Sequence, residues 1–153
     1  MEITVTKLNR FLFFKLPSAF LCGVRVKSVT PESSTVTVRH RWINQNPFNS
    51  MYFAVQAMAA ELSTGVQVMS QIKASGRQIS MLVASNKSVF TKKATGKITF
   101  TCNDAGALTD AIKRTVATGE GQTFWMTSIG TNENGDQVSR FDFEWTIRMR
   151  AQR

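Results

Sequence analysis

The chain has one histidine and two cysteines among its 153 residues. A single imidazole excludes a metal site built on a histidine pair, and Cys22 and Cys102 form neither a C-x-x-C motif nor a disulfide framework. A chain of this length builds a sizeable core without covalent staples, so two buried thiols in a reducing cytoplasm are expected. The G-x-S-x-G elbow of serine hydrolases is missing. Long apolar runs are missing too: no window approaches the ~18 uninterrupted apolar residues of a membrane span, which predicts a soluble protein with no membrane insertion. Acids are scarce, 10 Asp and Glu against 19 Lys and Arg, for a net charge of +9. That excess favours anionic partners: nucleic acid, acidic lipid or a phosphate-bearing molecule. Nucleic acid is the weakest of these, because the aromatics alternate into apolar strand faces instead of interleaving with the lysines.

What is present reads as one domain over residues 1–153, with no internal repeat or linker. "KLNRFLFFKLPSAFLCG" imitates a signal sequence, but Lys15 and Pro17 break its apolar run, and a packed N-terminal helix is expected instead. Residues 23–42 alternate as a hairpin turning at "TPESS", with Val36, Val38, His40 and Trp42 on one face and Thr35, Thr37, Arg39 and Arg41 on the other. Two further strands lie either side of "KKATG", the second with Ile98, Phe100 and Cys102 facing one way. Asp104 is a candidate cap for a short helix in which Leu108, Ile112 and Val116 recur and which Gly119 ends. The last third holds two long strands around Asn134-Gly135, a hairpin turn signal. In the final strand Phe141, Phe143, Trp145, Ile147 and Met149 alternate with polar residues, which predicts one buried face.

Between these strands, residues 47–69 read as a long helix of roughly 30 Å, with Asn46 as N-cap and Pro47 at the first helical position. It is apolar on nearly every side. Its one carboxylate, Glu61, is also the only charge in residues 43–72. A helix with no polar face, among about six amphipathic antiparallel strands, is buried only if the sheet curls around it. The fold class is therefore α+β, a curled antiparallel sheet wrapped on a central helix.

With "NPFNSMYFAVQAMAAE" at its centre, the sequence resembles the hotdog-fold acyl-CoA thioesterase superfamily, and within it a thioesterase-like branch carrying "RWINQNP" and an N-terminal helix. In phenylacetyl-CoA-type members an Asn precedes Gly and His-Gly-Gly at the start of the helix, and an Asp or Glu follows on the helix. Asn46 matches the leading Asn and Glu61 falls on the catalytic carboxylate, while Asn49, Tyr52, Phe53 and Ala54 stand for Gly, His, Gly and Gly. "SNKSVFTKKATG" is similar to the strand and basic turn that follow in the family. The resemblance implies an acyl-thioester hydrolase, with coenzyme A or an acyl-carrier protein as part of the substrate, no separate cofactor, and a homodimer or dimer of dimers whose antiparallel helices pair the two ends of the site.

Thioester hydrolysis needs an activated water or a nucleophile, and donors where the carbonyl oxygen gains charge. Glu61 is the candidate base, its pKa expected to rise among apolar neighbours such as Met58 and Leu62. Amides near Tyr52, Phe53 and Ala54 are candidate oxyanion donors at a helix N-terminus. Asn46 and Glu61 lie about 22 Å apart if one helix joins them, so a functional site requires two chains. Lys92 and Lys93, in the acid-free run "NKSVFTKKATGK", are candidates for the phosphates of coenzyme A. Each residue also has a structural reading: Glu61 as an ion-pair partner, Asn46 as a plain cap, Tyr52 as packing, His40 as a core or dimer residue, the lysines as a solvated turn. A non-catalytic acyl-ligand-binding or assembly protein is the alternative to an enzyme.

Overall fold

The computed structural model describes residues 3–151. Six strands, β1 (Arg25–Val29), β2 (Ser34–Arg39), β3 (Ile79–Phe90), β4 (Lys97–Cys102), β5 (Gln122–Thr131) and β6 (Gln137–Met149), form one sheet in the order β1-β2-β4-β5-β6-β3. Every pairing is antiparallel. The chain contributes helices α1 (Val5–Lys15), α2 (Pro17–Leu21), α3 (Phe53–Ala74) and α4 (Ala105–Thr118). The sheet curls about α3, the arrangement the resemblance implies.

Strand alternation is the physical cause of the core. Phe141, Phe143, Trp145 and Ile147 of β6 are buried together with Ile98, Phe100 and Cys102 of β4. The turn between β5 and β6 closes as expected, with Gly135 at φ 84, a left-handed conformation that costs glycine nothing. In α3 the buried set includes Val55, Ala59, Ala60, Leu62, Val66 and Val68, so apolar contact surrounds most of the helix. Hydroxyls supply the polar links between helix and sheet. Ser34 donates to the carbonyl of Ser63, and the Ser63 and Ser128 hydroxyls lie 2.7 Å apart. The indole Nε1 of Trp145 donates to Thr64 Oγ1 at 2.9 Å. All five side chains are buried, where such pairing removes the cost of dehydrating them.

The two sheet edges differ. On β1, the Asn9 side chain from α1 donates to Val26 O and accepts from Val26 N, both at 3.0 Å, so an amide imitates a neighbouring strand and blunts that edge. On β3, eleven of the twelve residues pair with β6, on one side alone, with a register shift at Ala84, and Leu82, Val89 and Phe90 are exposed.

Four sequence expectations are corrected. The central helix begins at Phe53, not Pro47, and Tyr52 is its N-cap. Asn46 folds a loop instead: its Oδ1 accepts from the amides of Phe48 and Ser50, a local bonding pattern that competes with helix formation. The first hairpin ends at Arg39; His40 donates its amide to Gly96 O, and Trp42 opens a short 3-10 turn with its ring 83% exposed. The predicted helix end at Gly119 is found, but the inner face of α4 is Leu108, Ala111, Ile112 and Thr115, with Val116 exposed. Asp104 does sit at the start of α4, yet its carboxylate accepts from the Thr127 amide at 2.6 Å and caps no helical amide.

Candidate functional site

Glu61 lies in the third turn of α3, where Phe53, Ala57 and Glu61 follow one another at four-residue spacing along one ridge. Among the described residues its carboxylate has no hydrogen-bond or ion-pair partner. Burial raises its pKa, because a low-dielectric surrounding disfavours the charged form and no cation compensates. Gly65, one turn on, lies between the carboxylate and the sheet: a methyl group there would lie 3.4 Å from Glu61 Oε1 and 3.5 Å from the Trp145 ring, in ordinary contact with both. The indole that walls this side is held in turn by its bond to Thr64.

At the other end of the ridge, Asn46, Tyr52, Phe53 and Lys92 line one groove of about 330 Å³. Residues far apart in sequence are thus brought to the N-terminus of α3. Asn46 builds the floor's loop: its Nδ2 donates to Ser50 Oγ at 3.0 Å, and its Oδ1 accepts the Ser50 amide at 3.2 Å. Asn49 closes that loop in a left-handed conformation, φ 57, which asparagine tolerates better than most side chains. The need for this backbone geometry explains how Asn stands where the resemblance places Gly. The Tyr52 amide is not available as an oxyanion donor, since it bonds Asn44 O at 2.9 Å. The amides of Phe53 and Ala54, first in the helix, have no acceptor within it.

Two lysines reach the same region differently. Lys92 Nζ pairs with Asp136 Oδ2 at 3.0 Å, and Lys93 Nζ donates to Phe48 O at 3.0 Å, which pins the groove's rim. Ala54, Asn49, Lys93 and Glu61 lie outside the groove lining. From Phe53 to Glu61 is eight helical residues, about 12 Å, shorter than the sequence spacing of Asn46 and Glu61 suggests but still too far for one reaction centre.

Gln56 was not anticipated. It is 4% exposed, lines the groove, and its Oε1 has no hydrogen-bond partner among the described residues. A buried amide oxygen left unpaired is costly, so it is a natural acceptor for a ligand N–H. No sequence signal marked it, because a glutamine on an otherwise apolar helix reads as an ordinary polar position.

A family model described as a domain of unknown function, DUF4442, matches residues 6–147. The chain belongs to the DUF4442 family. That match includes α1, the groove and Glu61 within the DUF4442 domain. No curated protein matches the chain. Among solved structures, a protein of unknown function from Pseudomonas aeruginosa described as a probable thioesterase superposes with a TM-score of 0.83 at 20% identity, covering 98% of this chain and 99% of that one. A protein of unknown function from Chlorobaculum tepidum gives 0.83 at 15% identity, covering 95% and 94%. A thioesterase from Haemophilus influenzae gives 0.76 at 11% identity, covering 97% and 93%. At these identities the likeness establishes the fold alone: this DUF4442 chain has the hotdog fold.

Proposed function

We propose that the protein hydrolyses acyl thioesters, acyl-CoA or an acyl-carrier conjugate, at a site completed by a second copy of the chain. The observation that carries this reading is Glu61: an unpaired carboxylate, raised in pKa by burial, on the central helix of a thioesterase-like fold. In the reaction Glu61 takes a proton from water as the oxygen adds to the thioester carbonyl carbon. The carbonyl oxygen gains negative charge, which the Phe53 and Ala54 amides of the second copy stabilise. The C–S bond then breaks, and the leaving thiolate takes the proton back from Glu61. Asn46 acts here as a positioning residue through the loop it folds, and the Gln56 oxygen accepts an amide N–H of the pantetheine arm.

Dimerisation follows from the same surfaces. The open β3 edge pairs with its counterpart, and the half-exposed ridge of α3 faces the other ridge. The acyl chain lies in a groove of about 470 Å³ between α1, the C-terminal end of α3 and the start of β3, whose lining includes Lys7, Met69, Ile72 and Met81. Lys92 and Lys93 stand at the nucleotide end.

The test is a panel of acyl thioesters assayed by free-thiol release, run on wild type and Glu61→Gln together. The reading requires turnover by wild type and its loss in Glu61→Gln. Lys92→Ala with Lys93→Ala should weaken coenzyme A substrates while sparing short thioesters that lack the nucleotide. One observation favours the non-catalytic alternative: the exposed rings of Tyr52 and Phe53 crowd the helix end where the resemblance places His and Gly. Tight acyl-CoA binding by calorimetry with no thiol release would establish that alternative.

A further inference from the structure

Helix α1 buries Leu8 and Leu12 against the sheet. A helix with that duty ordinarily turns polar side chains outward, yet the side of α1 opposite the core carries Arg10 and Phe14, flanked by Lys7 and Phe13. Phe14 is 70% exposed, Phe13 52%, and Leu21 at the end of α2 65%. Single exposed apolar residues are ordinary, but Phe13 and Phe14 are in contact, and Leu21 follows the Phe20 on which Phe13 packs. The Phe13 ring packs edge-to-face on Phe14 at 4.8 Å and on Phe20 at 5.0 Å, so the break between α1 and α2 presents a fixed aromatic ridge.

Charge along residues 3–31 has one sign. Residues 3–31 contain Lys7, Arg10, Lys15, Arg25 and Lys27 and no Asp or Glu. None of the five has an ion-pair partner among the described residues. Arg25 instead lays its guanidinium over the Phe20 ring, 3.7 Å from the centroid, joining the cations to the apolar ridge. No helix among the described residues is long and apolar enough to cross a membrane.

We propose that the α1–α2 face docks on an anionic lipid bilayer, with Phe13, Phe14 and Leu21 entering the boundary between headgroups and acyl chains and Lys7 and Arg10 meeting anionic headgroups. An amphipathic surface with aromatic tips and a basic rim lies in an interface in this way. Charge argues against a second copy as the occupant, because apposing two such faces would bring like-charged rims together on chains of net charge +9. The proposal does not depend on the Glu61 reading: Phe13, Phe14, Leu21 and Arg10 lie outside the acyl groove, and Lys7 alone lies on the border of both.

Flotation of the full chain with vesicles tests it, comparing phosphatidylcholine alone with phosphatidylcholine containing about one-third phosphatidylglycerol, at low and high salt. Wild type should float with the anionic vesicles, and both zwitterionic lipid and high salt should reduce the bound fraction at least about tenfold. Phe13→Ser, Phe14→Ser and Leu21→Ser combined should reduce it comparably, with the circular dichroism spectrum and Tm unchanged. Phe14→Ser alone, at a mostly exposed position, serves if the triple variant does not fold, and should weaken binding several-fold. Equal binding to both vesicle types, no binding to either, or an unaltered bound fraction in a folded Phe14→Ser variant overturns the proposal. So does a fall in solution mass of Phe14→Ser without lipid, which would make the face a contact between copies.

Discussion

Glu61 and Gly65 stand one helical turn apart, and Glu61 Oε1 and the Trp145 ring flank the same point: a Cβ at Gly65 would lie 3.4 Å from the carboxylate oxygen and 3.5 Å from the ring, ordinary van der Waals distances. The carboxylate therefore sits against helix backbone and indole, which remove water without providing a cation.

Replacing Glu61 by Gln should reduce thioester hydrolysis by about a hundredfold or more, the usual range for a positioned general base. Stability should move the other way. A carboxyl group whose folded pKa is raised binds its proton more tightly in the folded state, so its stabilising effect is complete below the unfolded value, near 4.5, and is lost as pH rises through the folded pKa. The Tm advantage of Glu61→Gln over wild type should thus be near zero in mild acid and grow towards neutral pH. A variant that melts below wild type at pH 7 and keeps its rate would make Glu61 structural, since removing one partner of a buried ion pair costs roughly 3 kcal/mol or more.

Glu61 was legible in the sequence because residues 43–72 contain no other charge, and the curled sheet was legible because only a curled sheet buries a helix with no polar face. The helix start was not. Asn46-Pro47 has the chemistry of a cap followed by a first turn, but the same Asn oxygen closes a loop on Phe48 and Ser50 equally well, and that loop requires the left-handed Asn49. Trp42 continued a two-residue alternation on paper; the chain leaves the sheet at Arg39, which no side-chain pattern announces. Gln56 became visible only when its burial and its unpaired oxygen were known together.

Gly130 of β5 should be intolerant of even one methyl. A Cβ there would approach Phe100 Cε1 and Ser139 Oγ to 2.7 Å each, and both of those residues are fully buried. Gly130→Ala should lower the unfolding free energy by about 1–3 kcal/mol, the usual range for overpacking, seen as an earlier urea midpoint at unchanged m-value.

The two cysteines should separate in a thiol titration. Cys102 is fully buried and its pKa is pushed up to about 11, chiefly by burial, whereas Cys22 is partly exposed. Native protein should release chromophore for one thiol within minutes at pH 8, and for two only after denaturation.

The open β3 edge should govern association. Light scattering of wild type should give about twice the monomer mass, and Leu82→Lys with Val89→Lys, both solvent-facing here, should return it to the monomer. A monomeric wild type at tens of micromolar would remove the shared site along with the dimer.

The hydroxyl contacts at Ser63 have a consequence for aim. The alanine, valine and leucine side chains of α3 hold it by close packing, but apolar contact itself has no direction. Hydrogen bonds do. The bonds from Ser34 and Ser128 to Ser63 engage like a detent, two residues beyond Glu61, and stop α3 at a single azimuth. The helix face that carries the carboxylate is thus held in part by a serine that never touches it.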